Sequence, residues 1–217
     1  MADVKNYVYI SDTKVDLFYE QIASSDKQKL SYEYGVDLKI VKALVKTEKE
    51  KNLTRIDKLN RVIQFLNGSN KLGRMPNPLE YVAGTMDLKW GSLGDEAVAF
   101  MGRASRNFIF LAGSLNHVVG AANAPKGKVF PSHLPFMLDI IYAYERDHID
   151  PIPTNLAVRS GLEQSDLEWA MSVIQSFKGP FQKFFLAKTH LYGAANEGGD
   201  GDLYVLMGSP FYVAVSE

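Results

Sequence analysis

The sequence predicts an α+β fold, a mainly antiparallel sheet with helices packed on it. Three observations predict it. A strand runs directly into a helix near the N-terminus, three strand-like segments follow one another at hairpin spacing between residues 80 and 115, and capped amphipathic patterns suggest a helical insertion between residues 132 and 192. Two further strand-like segments lie near the C-terminus, and their available partners are in the N-terminal half. Residues 1–217 are therefore expected to form a single domain, a length within the roughly 50–250 residues of ordinary domains.

Residues 7–10 (YVYI) are aromatic and β-branched, as strands prefer. Thr13 and Asp16 resemble a capping box, and Val15, Phe18, Tyr19 and Ile22 share one face of the helix that follows. In residues 32–46, Val36, Leu38 and Ile40 alternate, which favours a strand or hairpin, and KTEKEK at 46–51 reads as a solvated connection. Thr54 and Asp57 cap a second helix, with Ile56, Leu59, Val62, Ile63 and Leu66 as its buried stripe and Gly68 as its stop. Residues 68–78 read as a loop.

Segments 80–90, 96–101 and 107–115 form the expected antiparallel meander. Residues 121–131 contain Gly, Pro and Lys and read as a loop. Ser132 caps a helix to about Arg146 carrying Leu134, Met137, Leu138 and Ile141, and Ser165 with Glu168 caps another carrying Leu167, Ala170, Ile174 and Phe177. Gly179-Pro180 ends that helix and opens the next, where Phe181, Phe184 and Phe185 cluster as core rather than as a base-stacking platform. Residues 193–202 read as a loop, and strands 203–207 and 211–215 flank a turn at Gly208-Ser209-Pro210.

Composition excludes several functions. There is no cysteine, so disulfides, thiolate zinc sites and cysteine nucleophiles are ruled out. A net charge of −1 gives no reason to expect non-specific nucleic-acid binding. No apolar run approaches the roughly 20 residues that span a bilayer, and the first residues lack a signal-peptide pattern. A cytoplasmic protein without membrane partners is expected, with homo-oligomerisation left open.

The stretch 102–120, GRASRNFIFLAGSLNHVVG, holds the most suggestive chemistry. Arg103 and Arg106 sit at a turn, and a strand delivers Gly113 and Ser114 with His117 three residues on. Turn amides and arginines can bind an anion, and His117 with Ser114 are candidate catalytic residues for a hydrolase. Ser11, after the first strand, and Ser209, at the predicted second turn, are expected to join Arg103, Arg106, Gly113, Ser114 and His117 around one cleft. Asp147, His148 and Asp150, with His133 upstream, could contribute metal ligands, but they lack helical i, i+4 spacing and precede Pro151. Asp200 and Asp202 lack the distant glutamate of a calcium loop. No metal site and no cofactor are expected.

Three stretches, YVYISDTKVDLFYEQI at 7–22, FLAGSLNHVVG at 110–120 and GSPFYVA at 208–214, together resemble a bacterial and archaeal family without assigned function. That family opens with YISD-x-KVD, often carries GGS-x-x-H-x-x-G, and closes with GSP-x-YVA; Ala112 stands where its first glycine often falls. The resemblance implies one domain over the whole chain and carries no activity across. The expected function is a sensing or regulatory module for a small anionic or nucleotide-like ligand. The alternatives are a hydrolase using His117 with Ser114 or a metal, and a partner-binding structural domain.

Overall fold

The computed structural model describes residues 5–24, 32, 33, 35, 37, 39, 53–75, 77–93, 97–105, 107–120, 176–195 and 203–215. Strand β1 (Asn6–Ile10) leads straight into helix α1 (Asp12–Ser24). The Ser11 carbonyl accepts the Val15 amide at 2.9 Å, so the cap position falls on Ser11 rather than on Thr13. Val15 and Ile22 are buried on the expected face, with Phe18 and Tyr19 packed beside them.

Helix α2 (Arg55–Asn67) has the expected capping box: the Asp57 amide donates to Thr54 Oγ1 at 3.2 Å, and the Thr54 amide donates to the Asp57 carboxylate at 3.0 Å. Its buried stripe is Leu59, Val62, Phe65 and Leu66. Ile56, expected inside, is 38% exposed. Ile56 and Ile63 are seven residues apart and share an azimuth on the flank of that stripe, where Ile63 packs partly and Ile56, in the first turn, does not.

The strands are β2 (Leu72–Arg74), β3 (Tyr81–Leu93), β4 (Ala97–Ala104), β5 (Asn107–Ser114), β6 (Lys178–Ala195) and β7 (Leu203–Val215). The β3–β4–β5 meander forms as expected, and β7 joins it through a parallel pairing with β5. Strand β6 pairs antiparallel with both β3 and β7, which closes β7–β5–β4–β3–β6 into a five-stranded barrel. Beyond the ring, β1 extends β7 antiparallel and β2 extends β3 in parallel. The chain is thus mostly β with some helix.

Several sequence expectations change: β6 runs to Ala195 into the expected loop 193–202, and Phe181, expected in the core, is exposed. Phe181, Phe184 and Phe185 stand on the 18-residue strand β6, not on a helix, so the insertion expected between 132 and 192 is strand from Lys178 onward. An uninterrupted apolar run such as 184–187 suits a helix or a doubly buried strand equally, and the pairings with β3 and β7 decide it. The turn expected at Gly208-Ser209-Pro210 is absent, because β7 is continuous through it. Residues 68–78 are not all loop, since β2 lies within them. Tyr32, Glu33 and Lys39 are helical where a strand or hairpin was expected. The expected helices at 132–146 and 165–175, with Leu138, Ile141 and Ile174, lie outside the described residues; Phe177 is buried, just ahead of β6.

Two cores result. Tyr9, Val82, Leu88, Val98, Phe100, Ile109, Leu111, Phe185, Leu206 and Val213 fill the barrel. Ile10, Tyr81, Leu186, Phe211, Tyr212 and Ala214 form a second layer beneath α1 and α2. Alternation on the strands separates the two layers, as at Phe185 and Leu186. Leu59 is fully buried in the helix layer. Leu59→Ala is therefore expected to lower the unfolding free energy by about 2–5 kcal/mol, and Ile56→Ala to change it by about 0.5 kcal/mol or less. Urea denaturation midpoints of the two variants check the ordering.

Candidate functional site at the divided edge of β7

One edge of β7 belongs to β6 along its length, but the other is divided. β5 pairs with Tyr204–Gly208 and β1 with Tyr212–Val215. Between them Ser209, Pro210 and Phe211 face a gap that the start of α1 fills. Two β-bulges bracket this segment. On β7, Leu186 opposes Tyr212 and Ala187 opposes Pro210, so Phe211 is the extra residue, and its carbonyl accepts the Ser11 amide at 2.8 Å. On β6, Thr189 opposes Gly208 and Leu191 opposes Met207, so His190 is extra. Gly208 suits the close approach there: a Cβ would lie 2.6 Å from the Lys188 carbonyl oxygen.

Tyr9 organises the first half of the site. It is buried in the barrel, its hydroxyl bonded to the Ser11 side chain and the Ser114 backbone, and burial pushes its pKa up to about 12. Gly113 lies beneath that hydroxyl, where a Cβ would sit 2.2 Å from the oxygen. Ser114 Oγ accepts the Asn116 amide at 3.4 Å and caps a 3-10 turn, Leu115–His117. That turn carries His117 to α1: the Asp12 amide donates to His117 Nδ1 at 3.4 Å, and Thr13 Oγ1 lies 3.5 Å from Nε2. Burial holds His117 below the ordinary histidine range; the Asp12 carboxylate opposes this, while Arg55 and Lys14 add to it. His117 thus caps the helix as a neutral imidazole. Arg55 also binds the Asp12 carboxylate and the Ile10 carbonyl, tying α2 to this corner.

The second half lies on the outer face of β6 and β7. His190 Nε2 is 2.8 Å from Ser209 Oγ. Lys14, from the first turn of α1, donates to the Pro210 carbonyl at 3.3 Å. Burial and then the Lys188 charge push the Lys14 amine down to about 8. Burial, Lys14 and Lys188 lower the His190 imidazole in turn. Two amines and an imidazole therefore share the face that carries Ser209.

A family model matches residues 5–217, nearly the whole chain. The chain belongs to DUF7019, a family of unknown function. No curated protein and no solved structure matches it.

In this DUF7019 chain, Ser11, Gly113, Ser114 and His117 come together around Tyr9, as parts that join β1, β5 and α1. Ser209 lies on the neighbouring outer face with His190. Arg103 is at the other end of the β4–β5 hairpin: Arg103 pairs with Phe108, whereas Ser114 pairs with Ala97. Arg103 Nε donates to the Ser105 carbonyl at 3.3 Å. Arg106, His133, Asp147, His148, Asp150, Asp200 and Asp202 lie outside the described residues. Among the described residues no three His, Asp or Glu side chains gather as metal ligands, and no helix is long and apolar enough to cross a membrane. Sequence reading singled out Lys14 with Ser11 and Asp12 at the end of the first strand, and missed Lys188 and His190. Lys188 and His190 stand two apart, a spacing that places them together only on a strand, and 180–192 reads as helix.

Two expectations follow. Gly113→Ala should lower stability by about 1–3 kcal/mol, the usual effect of overpacking, read as a drop in thermal midpoint; an unchanged midpoint contradicts the Tyr9 contact. His117 and His190 both titrate lower in the folded chain, so on acidification the unfolded chain takes up protons first. Their stabilising contribution is complete above the unfolded value and is lost as pH falls through the folded one. The melting temperature should therefore fall as pH drops below the ordinary histidine value of 6.5, and His117→Gln should shrink the fall, as calorimetry at a series of pH values would show.

Proposed function

We propose that this protein is a cytoplasmic sensing or regulatory module that holds a small anionic ligand, a phosphate or carboxylate group, on the face made by Lys14, Lys188, His190 and Ser209. The supporting observation is the unbalanced charge there. Burial comes first among the causes that lower Lys14 and His190, and among the described residues the charges that act on them are lysines. Acidic residues nearby are engaged elsewhere, Asp12 with Arg55 and Asp16 with Lys58 at 2.7 Å. An anion would relieve the repulsion and gain charge-assisted hydrogen bonds from both amines, with the Ser209 hydroxyl as a neutral donor. The first-turn amide of Asp12 is committed to His117, so the ligand is held by side chains rather than by the helix terminus.

Sulfate is a suitable probe, because its own charge is constant across neutral pH. Lys14→Gln or Lys188→Gln should weaken its binding by about 1.5–3 kcal/mol, roughly ten- to a hundredfold in Kd. Affinity in the wild type should fall as pH rises past about 8, where Lys14 loses its proton. Titration calorimetry and thermal shift, extended to nucleotides and sugar phosphates, measure both. A wild-type protein that none of these anions stabilises would overturn the reading and favour the partner-binding alternative.

A further inference from the structure

We propose that Ser209 is a nucleophile toward carboxylic esters that carry an anionic group, with His190 as its general base. The choice of an anionic substrate rests on the anion-binding reading above; the nucleophile itself rests on separate geometry. The hydroxyl–imidazole separation of 2.8 Å lies within the reach expected of a nucleophile and its base. This pair is not an incidental neighbourhood on a regular sheet. His190 is the extra residue of a β-bulge, a device that re-aims side chains, and Gly208 permits the close strand approach beside it. The residue after the nucleophile, Pro210, has no amide hydrogen to offer an oxyanion, but its carbonyl holds the Lys14 amine in place at 3.3 Å.

The step balances with groups on this face. In the tautomer protonated at Nδ1, His190 Nε2 takes the Ser209 proton as Oγ attacks the ester carbonyl carbon. The Lys14 ammonium opposes the negative charge on the carbonyl oxygen. Collapse of the tetrahedral intermediate breaks the bond to the alcohol, which leaves with the proton from Nε2. Water then attacks the acyl-Ser209 ester, giving its proton to Nε2, and expulsion of Oγ returns that proton to Ser209. The net reaction is ester plus water to carboxylic acid plus alcohol.

Charge states support the roles. The groups facing this centre are Lys188 and His190 on β6, Lys14 on α1, and His117 beyond it. At neutral pH His190 is unprotonated and Lys14, near 8, is still mostly an ammonium. A base with its lone pair free and a cation beside the developing charge therefore coexist between the two titrations.

The test uses the full chain with two probes. A fluorophosphonate should label wild-type protein, and peptide mapping should place the adduct on Ser209. Mono-p-nitrophenyl succinate should then give a burst of nitrophenolate, absent in Ser209→Ala and at least a hundredfold slower in His190→Gln. Lys188→Gln should narrow the preference for the succinate ester over neutral p-nitrophenyl acetate about tenfold or more, whereas Lys14→Gln should slow both esters. Because the adduct is mapped on the wild type, a variant that folds poorly does not blur the answer. No adduct on Ser209, or an adduct on another residue, overturns the proposal. Labelling at Ser209 without sulfate binding would overturn the anion reading alone, and sulfate binding without labelling would overturn the nucleophile alone.

Discussion

Strand β7 must satisfy three neighbours with two edges. β6 takes one edge, while the other passes from β5, running parallel, to β1, running antiparallel. A change of partner and direction cannot be made on one residue, because the two hydrogen-bond patterns do not share a register. The bulge at Phe211 and the proline before it absorb the change: Phe211 turns its carbonyl to Ser11, and Pro210 has no amide that would need a partner. From that hand-over follow the position of α1, the closure of the barrel on one side and the flaring of β1 away on the other.

Much of this was legible in the sequence. The meander from 80 to 115 and the Thr54–Asp57 cap follow from hairpin spacing and capping chemistry, which act over a few residues. What was misread involves long-range competition. Gly208 and Pro210 are turn residues by local rule, yet β5, β6 and β1 hold them inside a strand. Phe184–Ala187 shows no alternation because both faces of β6 are buried there. Both faces of β4 and β5 are buried as well, from Ala97 to Met101 and from Phe108 to Ala112. For the site, Gly113, Ser114 and His117 could be picked out by motif. Their meeting with Tyr9 and Ser11 depends on pairings across more than a hundred residues, and Lys188 and His190 beside Ser209 become visible only once 178–195 is a strand.

The charges on the two halves of the site differ in kind. Around His117, Asp12 and Arg55 neutralise each other and the Asp12 amide donates to the imidazole, an arrangement suited to holding structure. Around Ser209 no such compensation acts among the described residues, and the basic groups destabilise one another's protonated forms. Such imbalance is costly unless something outside the chain offsets it, and perturbed titrations of this type gather at functional sites more often than elsewhere.

The pairing of β1 with β7 also bears on how the chain reaches its native state. Lys5 contacts Tyr212 across 207 positions, and β1 pairs along its length with β7, the last strand to be made. During synthesis α1 and the meander can form early, but β1 must wait with its edge unpaired until residues 203–215 have emerged. Closure of so long a loop slows folding relative to a locally connected domain. The interval before it is when β1 is open to pairing with a strand from another chain.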